Sequence, residues 1–198
     1  MAIKVMSIFG TRPEAIKMAP LVQRLAQTEG IESLCCVTAQ HRQMLDSVLE
    51  SFQITPDYDL NIMQPNQTLA SIISRTLQGM EPVFQQAKPD LVLVHGDTTT
   101  TLAGALAAML HQIPVGHVEA GLRTYDKASP FPEELNRTLV GDIAQLHFAP
   151  TRANADNLKK EAVTGDIFIT GNTVIDAMQT TVRPDFVFQN ELLNQLDY

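Results

Sequence analysis

Ile3-Lys4-Val5-Met6-Ser7-Ile8-Phe9 runs directly into Gly10-Thr11-Arg12-Pro13-Glu14, and this passage decides the fold class. A mostly apolar run without strict alternation reads as a strand covered on both faces. Glycine then breaks the run. Thr11 and Glu14 stand at capping-box spacing, and Pro13 is tolerated in a first helical turn. Ile16, Ala19, Leu21, Val22 and Leu25 continue along one side of a helix over 13–27. Strand, tight turn and helix in that order form the opening unit of a parallel α/β sheet.

The unit repeats in both directions of reading. Further strands are expected at 31–37, 91–94, 115–118, 146–148 and 167–169. Between them lie helical segments at 41–51, 67–87, 98–111, 132–144, 151–160 and 173–180. Such alternation predicts a doubly wound, mostly parallel α/β sheet. G-x-G-x-x-G is absent from the first turn, so no dinucleotide fingerprint is present.

The composition agrees with a packed domain. The chain has 198 residues, 44% hydrophobic and 18% charged, with a net charge of −8. That suffices for a core and excludes disordered, collagenous and coiled-coil chains. Acidic residues exceed basic ones in both halves and no basic stripe occurs, so a nucleic-acid partner is not expected. Cys35 and Cys36 are adjacent, which suits two reduced core thiols on opposite faces of a strand. The apolar run at the start is too short for a signal peptide or a membrane span. A cytoplasmic protein with no membrane partner is expected.

In a parallel sheet the ligand crevice lies beyond the carboxyl ends of the strands. Segments distant in sequence therefore meet there: Gly10–Glu14, Thr38–Arg42, His95–Thr101 and Glu119–Thr124. Three arginine-bearing turns, Asp97, Glu119 and a threonine cluster collect on one edge, an acid/base set beside an anion site. Arg12 suits phosphate oxygens, and Lys17 is one turn on. Asp97 reads equally as a helix N-cap. Glu119 ends an apolar strand on the same face as His117, where a carboxylate must be solvated, paired or functional. Glu133 and Glu134 begin a helix, and dipole complementation accounts for one of them. Arg137 is spaced to pair with either. The histidines have no metal-ligand spacing, so no metal site is expected.

Five motifs occur in order: Gly10-Thr11-Arg12-Pro13-Glu14-Ala15-Ile16-Lys17-Met18-Ala19-Pro20, His95-Gly96-Asp97-Thr98-Thr99-Thr100-Thr101, Gly116-His117-Val118-Glu119-Ala120-Gly121-Leu122-Arg123-Thr124, Pro132-Glu133-Glu134 and Gly171-Asn172-Thr173. Together they closely resemble the non-hydrolysing bacterial UDP-N-acetylglucosamine 2-epimerases over residues 3–180. The resemblance implies the N-terminal half of a glycosyltransferase-B type two-domain fold. It implies cofactor-free interconversion of UDP-GlcNAc and UDP-ManNAc, through loss of the C2 proton with UDP, a 2-acetamidoglucal intermediate, and re-addition.

By position in the motifs, Asp97, Glu119 and Glu133 match catalytic acids and bases, and Arg12 and Lys17 match substrate-binding residues. His117 and Arg137 match supporting positions. Gln40, His41, Arg42 and Gln43, together with Glu133, match the neighbourhood of a regulatory UDP-GlcNAc site, where Asn66 replaces an arginine of some relatives. A homodimer is implied, with the helix at 67–87 a candidate contact; its stripe of Leu69, Ile72, Ile73, Leu77 and Met80 reads first as core. Residues 1–180 are expected to form the N-terminal domain and 181–198 a terminal helix or the start of an interdomain linker. The family's second domain is not in these 198 residues, so little turnover is expected of this chain alone. The alternative reading is a non-catalytic sugar-nucleotide-binding or interaction module of the same fold.

Overall fold

The computed structural model describes residues 2–182, 186–188 and 192–195. Seven strands form one fully parallel sheet: β1 (Ile3–Phe9), β2 (Ile31–Val37), β3 (Tyr58–Asp59), β4 (Leu91–His95), β5 (Val115–Val118), β6 (Leu146–Ala149) and β7 (Asp166–Ile169). Their order across the sheet is β3-β2-β1-β4-β5-β6-β7, so the winding direction reverses between β1 and β4. The crossovers carry α1 (Arg12–Ala26), α2 (Arg42–Ser51), α3 (Leu69–Ala87), α4 (Thr99–Leu110), α5 (Glu133–Ile143) and α6 (Arg152–Lys160), and α7 (Val174–Thr181) follows β7. This is the doubly wound sheet that the alternation predicts.

The central strands β1, β2, β4 and β5 each contribute to two cores because their side chains alternate. Val5, Phe9, Cys35 and Val37 pack with Met18 of α1 and Leu45 of α2. Met6, Ile8, Cys36 and Val94 face the other way, against Met80 of α3 and Ala105 of α4. The two cysteines are therefore buried in different cores. Of the apolar stripe of α3, Ile72 and Met80 are buried and Leu77 packs against the core, while Leu69 is exposed. The central helix α4 is nearly all buried; Ala103, Gly104, Ala107 and Ala108 give it the slimness to lie flat on the sheet.

One strand escaped the sequence reading. β3 is two residues long, paired at the edge with Cys36 and Val37, too short to leave a periodicity. The terminal helix or linker expected over 181–198 falls partly outside the described residues; within them, a single 3-10 turn occupies Leu193–Gln195. No described helix is long and apolar enough to cross a membrane.

Candidate active site

The turn after β1 is set by a close approach that only glycine permits. A Cβ on Gly10 would sit 1.9 Å from Thr38 Oγ and 2.8 Å from Thr100 Oγ. Glu14 then ties this turn to the one after β4. Its Oε2 accepts from Gly10 N (3.0 Å), Thr11 N (2.8 Å) and Thr11 Oγ (2.8 Å). Its Oε1 accepts from Thr98 Oγ (2.7 Å) and Thr101 Oγ (3.0 Å). Burial raises the Glu14 pKa, and these hydrogen bonds work against that rise. The capping-box reading is correct but incomplete, because this carboxyl also joins two crossovers. Arg12, held at the start of α1, is exposed and has no ion-pair partner among the described residues.

Asp97 is fixed from three sides. His117 is fully buried, and its Nε2 lies 2.7 Å from the carbonyl oxygen of Gly96, so that nitrogen carries the proton. Gly96 itself has a positive φ of 68°, a conformation in which glycine is at ease. Asn136 Nδ2 donates to the Asp97 carbonyl at 2.8 Å. The Arg137 guanidinium binds the Asp97 carboxylate, and its other nitrogen lies 3.3 Å from Glu134 Oε2. Both supporting residues expected from the sequence thus act on this turn.

Glu119 follows β5 with φ at 63°, a left-handed conformation that costs a non-glycine residue roughly 1–3 kcal/mol. Lys17 Nζ lies 2.8 Å from its Oε1 and 2.6 Å from its Oε2. Asn172 Nδ2 donates to Oε2 at 2.7 Å. Beneath them His95 is buried, with Nε2 3.9 Å from Glu119 Oε2. Burial pushes Glu119 up, but His95, Lys17 and Asn172 together hold its carboxyl below the ordinary range. Burial also pushes His95 down to about 4, so this ring is neutral at pH 7.

Glu133 and Glu134 divide the two roles that the sequence left open. Glu134 is buried and accepts from Tyr125 N at 2.8 Å, a structural use. Glu133 is half-buried and lines a cleft of about 510 Å³ together with Thr11, Arg12, Gln40, His41, Asp97 and Thr98. Lys17 and Glu119 are not in that lining; they pair alongside it, with Glu119 Oε1 3.8 Å from where a Gly96 Cβ would stand.

Of the regulatory-site expectations, Gln40 lines the cleft and its Oε1 accepts from Thr100 Oγ at 2.8 Å. Gln43 and Asn66 are exposed and lie outside that lining. One cation expected at the edge is engaged elsewhere: Arg42 binds Asp46 and Asp59. Among the described residues, no cluster of three or more His, Cys, Asp or Glu is arranged to hold a metal ion. Asn172 was missed as a site residue, although its Gly-Asn-Thr triplet was visible after the last strand.

Residues 23–195 match the family described as UDP-N-acetylglucosamine 2-epimerase. The UDP-N-acetylglucosamine 2-epimerase of Bacillus subtilis is 64% identical over 185 residues, covering 93% of this chain and 49% of that protein. The Escherichia coli K12 protein of the same name is 59% identical over 195 residues, covering 98% of this chain and 52% of that one. Among solved structures, the Neisseria meningitidis UDP-GlcNAc 2-epimerase bound to UDP-GlcNAc superposes with a TM-score of 0.87 at 55% identity, covering 90% of this chain and 48% of that one. This chain therefore spans about half the length of the curated relatives it matches.

Proposed function

This chain belongs to the UDP-N-acetylglucosamine 2-epimerase family, and from that we propose that it carries the N-terminal half of a site interconverting UDP-GlcNAc and UDP-ManNAc. Residues 1–180 form the Rossmann-like domain of this proposal, with the chain beyond leading toward a second domain. The observation that carries it is the grouping of Asp97 and Glu133 with Arg12, unpaired among the described residues, in one cleft, and Glu119 paired with Lys17 alongside.

The reaction removes the proton at C2 and expels UDP, giving 2-acetamidoglucal; UDP returns after reprotonation on the opposite face. Each step moves a proton to or from carbon or expels a diphosphate. Carboxylates in fixed positions serve the first need and cations the second. Asp97, Glu119 and Glu133 supply the acids and bases. Arg12 offers its planar fork to the diphosphate. Lys17 holds Glu119 ionised and adds positive charge to the same edge. Arg137 and His117 support Asp97. Elimination and re-addition transfer no hydride, so this route uses no redox cofactor. Gln40, Gln43 and Asn66 mark where a second UDP-GlcNAc would act as regulator.

The protein is proposed to work in the cytoplasm as a homodimer. Leu69 in the 67–87 segment is exposed, and the exposed Met109 and Leu110 at the end of α4 offer further apolar surface for pairing.

Exchange of solvent deuterium into C2 of UDP-GlcNAc tests the proposal. The chain is assayed alone and joined to the C-terminal half of the Bacillus subtilis relative. Exchange by the joined protein and little by the 198-residue chain is the expected result. UDP-GlcNAc binding with no exchange in the joined protein overturns it in favour of a non-catalytic binding module.

A further inference from the structure

We propose that Asn172 is the positioning residue for Glu119, a role that rests on the epimerase reading only for its catalytic consequence. The contact joins the β7–α7 turn to the carboxyl end of β5, across 53 positions of sequence. Its orientation is determined by the structure. Asn172 Oδ1 accepts from Val174 N at 3.0 Å, an Asx turn leading into α7, which leaves Nδ2 as the atom that donates to Glu119 Oε2 at 2.7 Å. The amide is thus pinned at one end and presents a donor at the other.

Glu119 needs such a partner. Its backbone is left-handed, so the side chain leaves the strand in a direction the local sequence does not enforce. Three elements face its carboxylate: α1 through Lys17, β4 through His95, and the β7–α7 turn through Asn172. Lys17 reaches both oxygens on a flexible stem and so fixes charge more than direction. His95 is 3.9 Å away, beyond hydrogen-bond range. Asn172 is the short, rigid contact. It also links the placement of α7 to that of a carboxylate assigned to proton transfer.

Two substitutions separate this role from the Asx turn. Asn172→Asp keeps an oxygen to accept from Val174 N but replaces the donor toward Glu119 with a second acceptor. Asn172→Ala removes both. The test is a ¹³C NMR titration of the glutamate side-chain carboxyls in this chain, with Glu119 assigned by its loss in Glu119→Gln. Both variants are expected to raise the Glu119 midpoint, corresponding to about tenfold tighter proton binding. The α7 amide shifts should survive in Asn172→Asp. A Glu119 midpoint unchanged from wild type in Asn172→Asp, with α7 intact, overturns the proposal. In the joined protein, Asn172→Asp should move the acid limb of the kcat profile upward while KM stays near wild type. An unmoved acid limb overturns the catalytic consequence. The NMR arm needs no turnover, so it reads the contact even if the deuterium assay refutes epimerase activity.

Discussion

Lys17 Nζ lies within 2.8 Å of both carboxylate oxygens of Glu119, so an ammonium from the second turn of α1 neutralises a carboxylate at the end of β5. The pair is largely shielded, with side-chain exposures of 25% and 11%. Replacing Lys17 with Met leaves Glu119 partly buried beside a neutral His95 and one amide. We expect a loss of about 1–2 kcal/mol at pH 7 in urea unfolding, below the figure for fully buried pairs because solvent screens this one. Glu119 has a depressed pKa in the folded state. Its stabilising contribution is therefore present above the unfolded carboxyl value and fades as pH falls through the folded value. The difference between wild type and Lys17→Met should shrink accordingly in acid.

Arg12 behaves differently because it is exposed and engages no carboxylate among the described residues. Arg12→Ala should leave the unfolding midpoint within experimental error of wild type. UDP affinity, measured by calorimetry on the joined protein, should fall by about tenfold or more, as expected for loss of a charge-assisted contact to phosphate. Arg12→Lys should recover part of that loss, since the charge returns without the bidentate fork.

The fold was legible because its signals are local. Ile3–Phe9, Ile31–Val37 and Val115–Val118 each declare themselves as apolar runs, and the structure places strands over those same residues. The site was legible as a set of segments, since the topology sends every strand end to one edge. What the sequence withheld is which cations at that edge are free. Arg12, Arg42 and Arg123 look alike in a string, yet Arg42 is bound to Asp46 and Asp59, and Arg123 is buried against Glu161. Those pairings depend on α2, β3 and α6 arriving at particular places. The Asn172 contact was hidden for the same reason: its partner lies 53 positions away.

Burial sets a second pH dependence. It lowers His95 to about 4 and His117 to about 3, so both stay neutral in the fold where an unfolded histidine would be protonated. Below pH 6.5 the unfolded chain binds more protons at these sites, and stability falls as pH drops. Between pH 7 and pH 5 each ring is expected to cost roughly 2 kcal/mol. Glu14 works in the opposite sense, because its raised pKa adds stability as the pH falls. The readout is therefore the difference between wild type and His117→Gln, whose side chain can still donate to the Gly96 carbonyl. That variant should show a shallower loss of stability over this range in chemical unfolding.

Asp97 provides the sharpest test of the chemistry, because its surroundings separate fold from function. Its backbone carbonyl is held by Asn136 and its carboxylate by Arg137, while the same residue lines the cleft with Glu133. In Asp97→Asn the amide oxygen can still accept from Arg137, so unfolding stability should change by no more than about 1 kcal/mol. The proton-transfer capacity disappears. Deuterium entry at C2 by the joined protein should then fall by roughly 10²–10⁴. Glu119→Gln should fall comparably if both carboxylates handle protons in the reaction. A variant that retains exchange while losing net epimerisation would identify the carboxylate acting on the opposite face of C2, which divides the acid and base roles between the two strand ends.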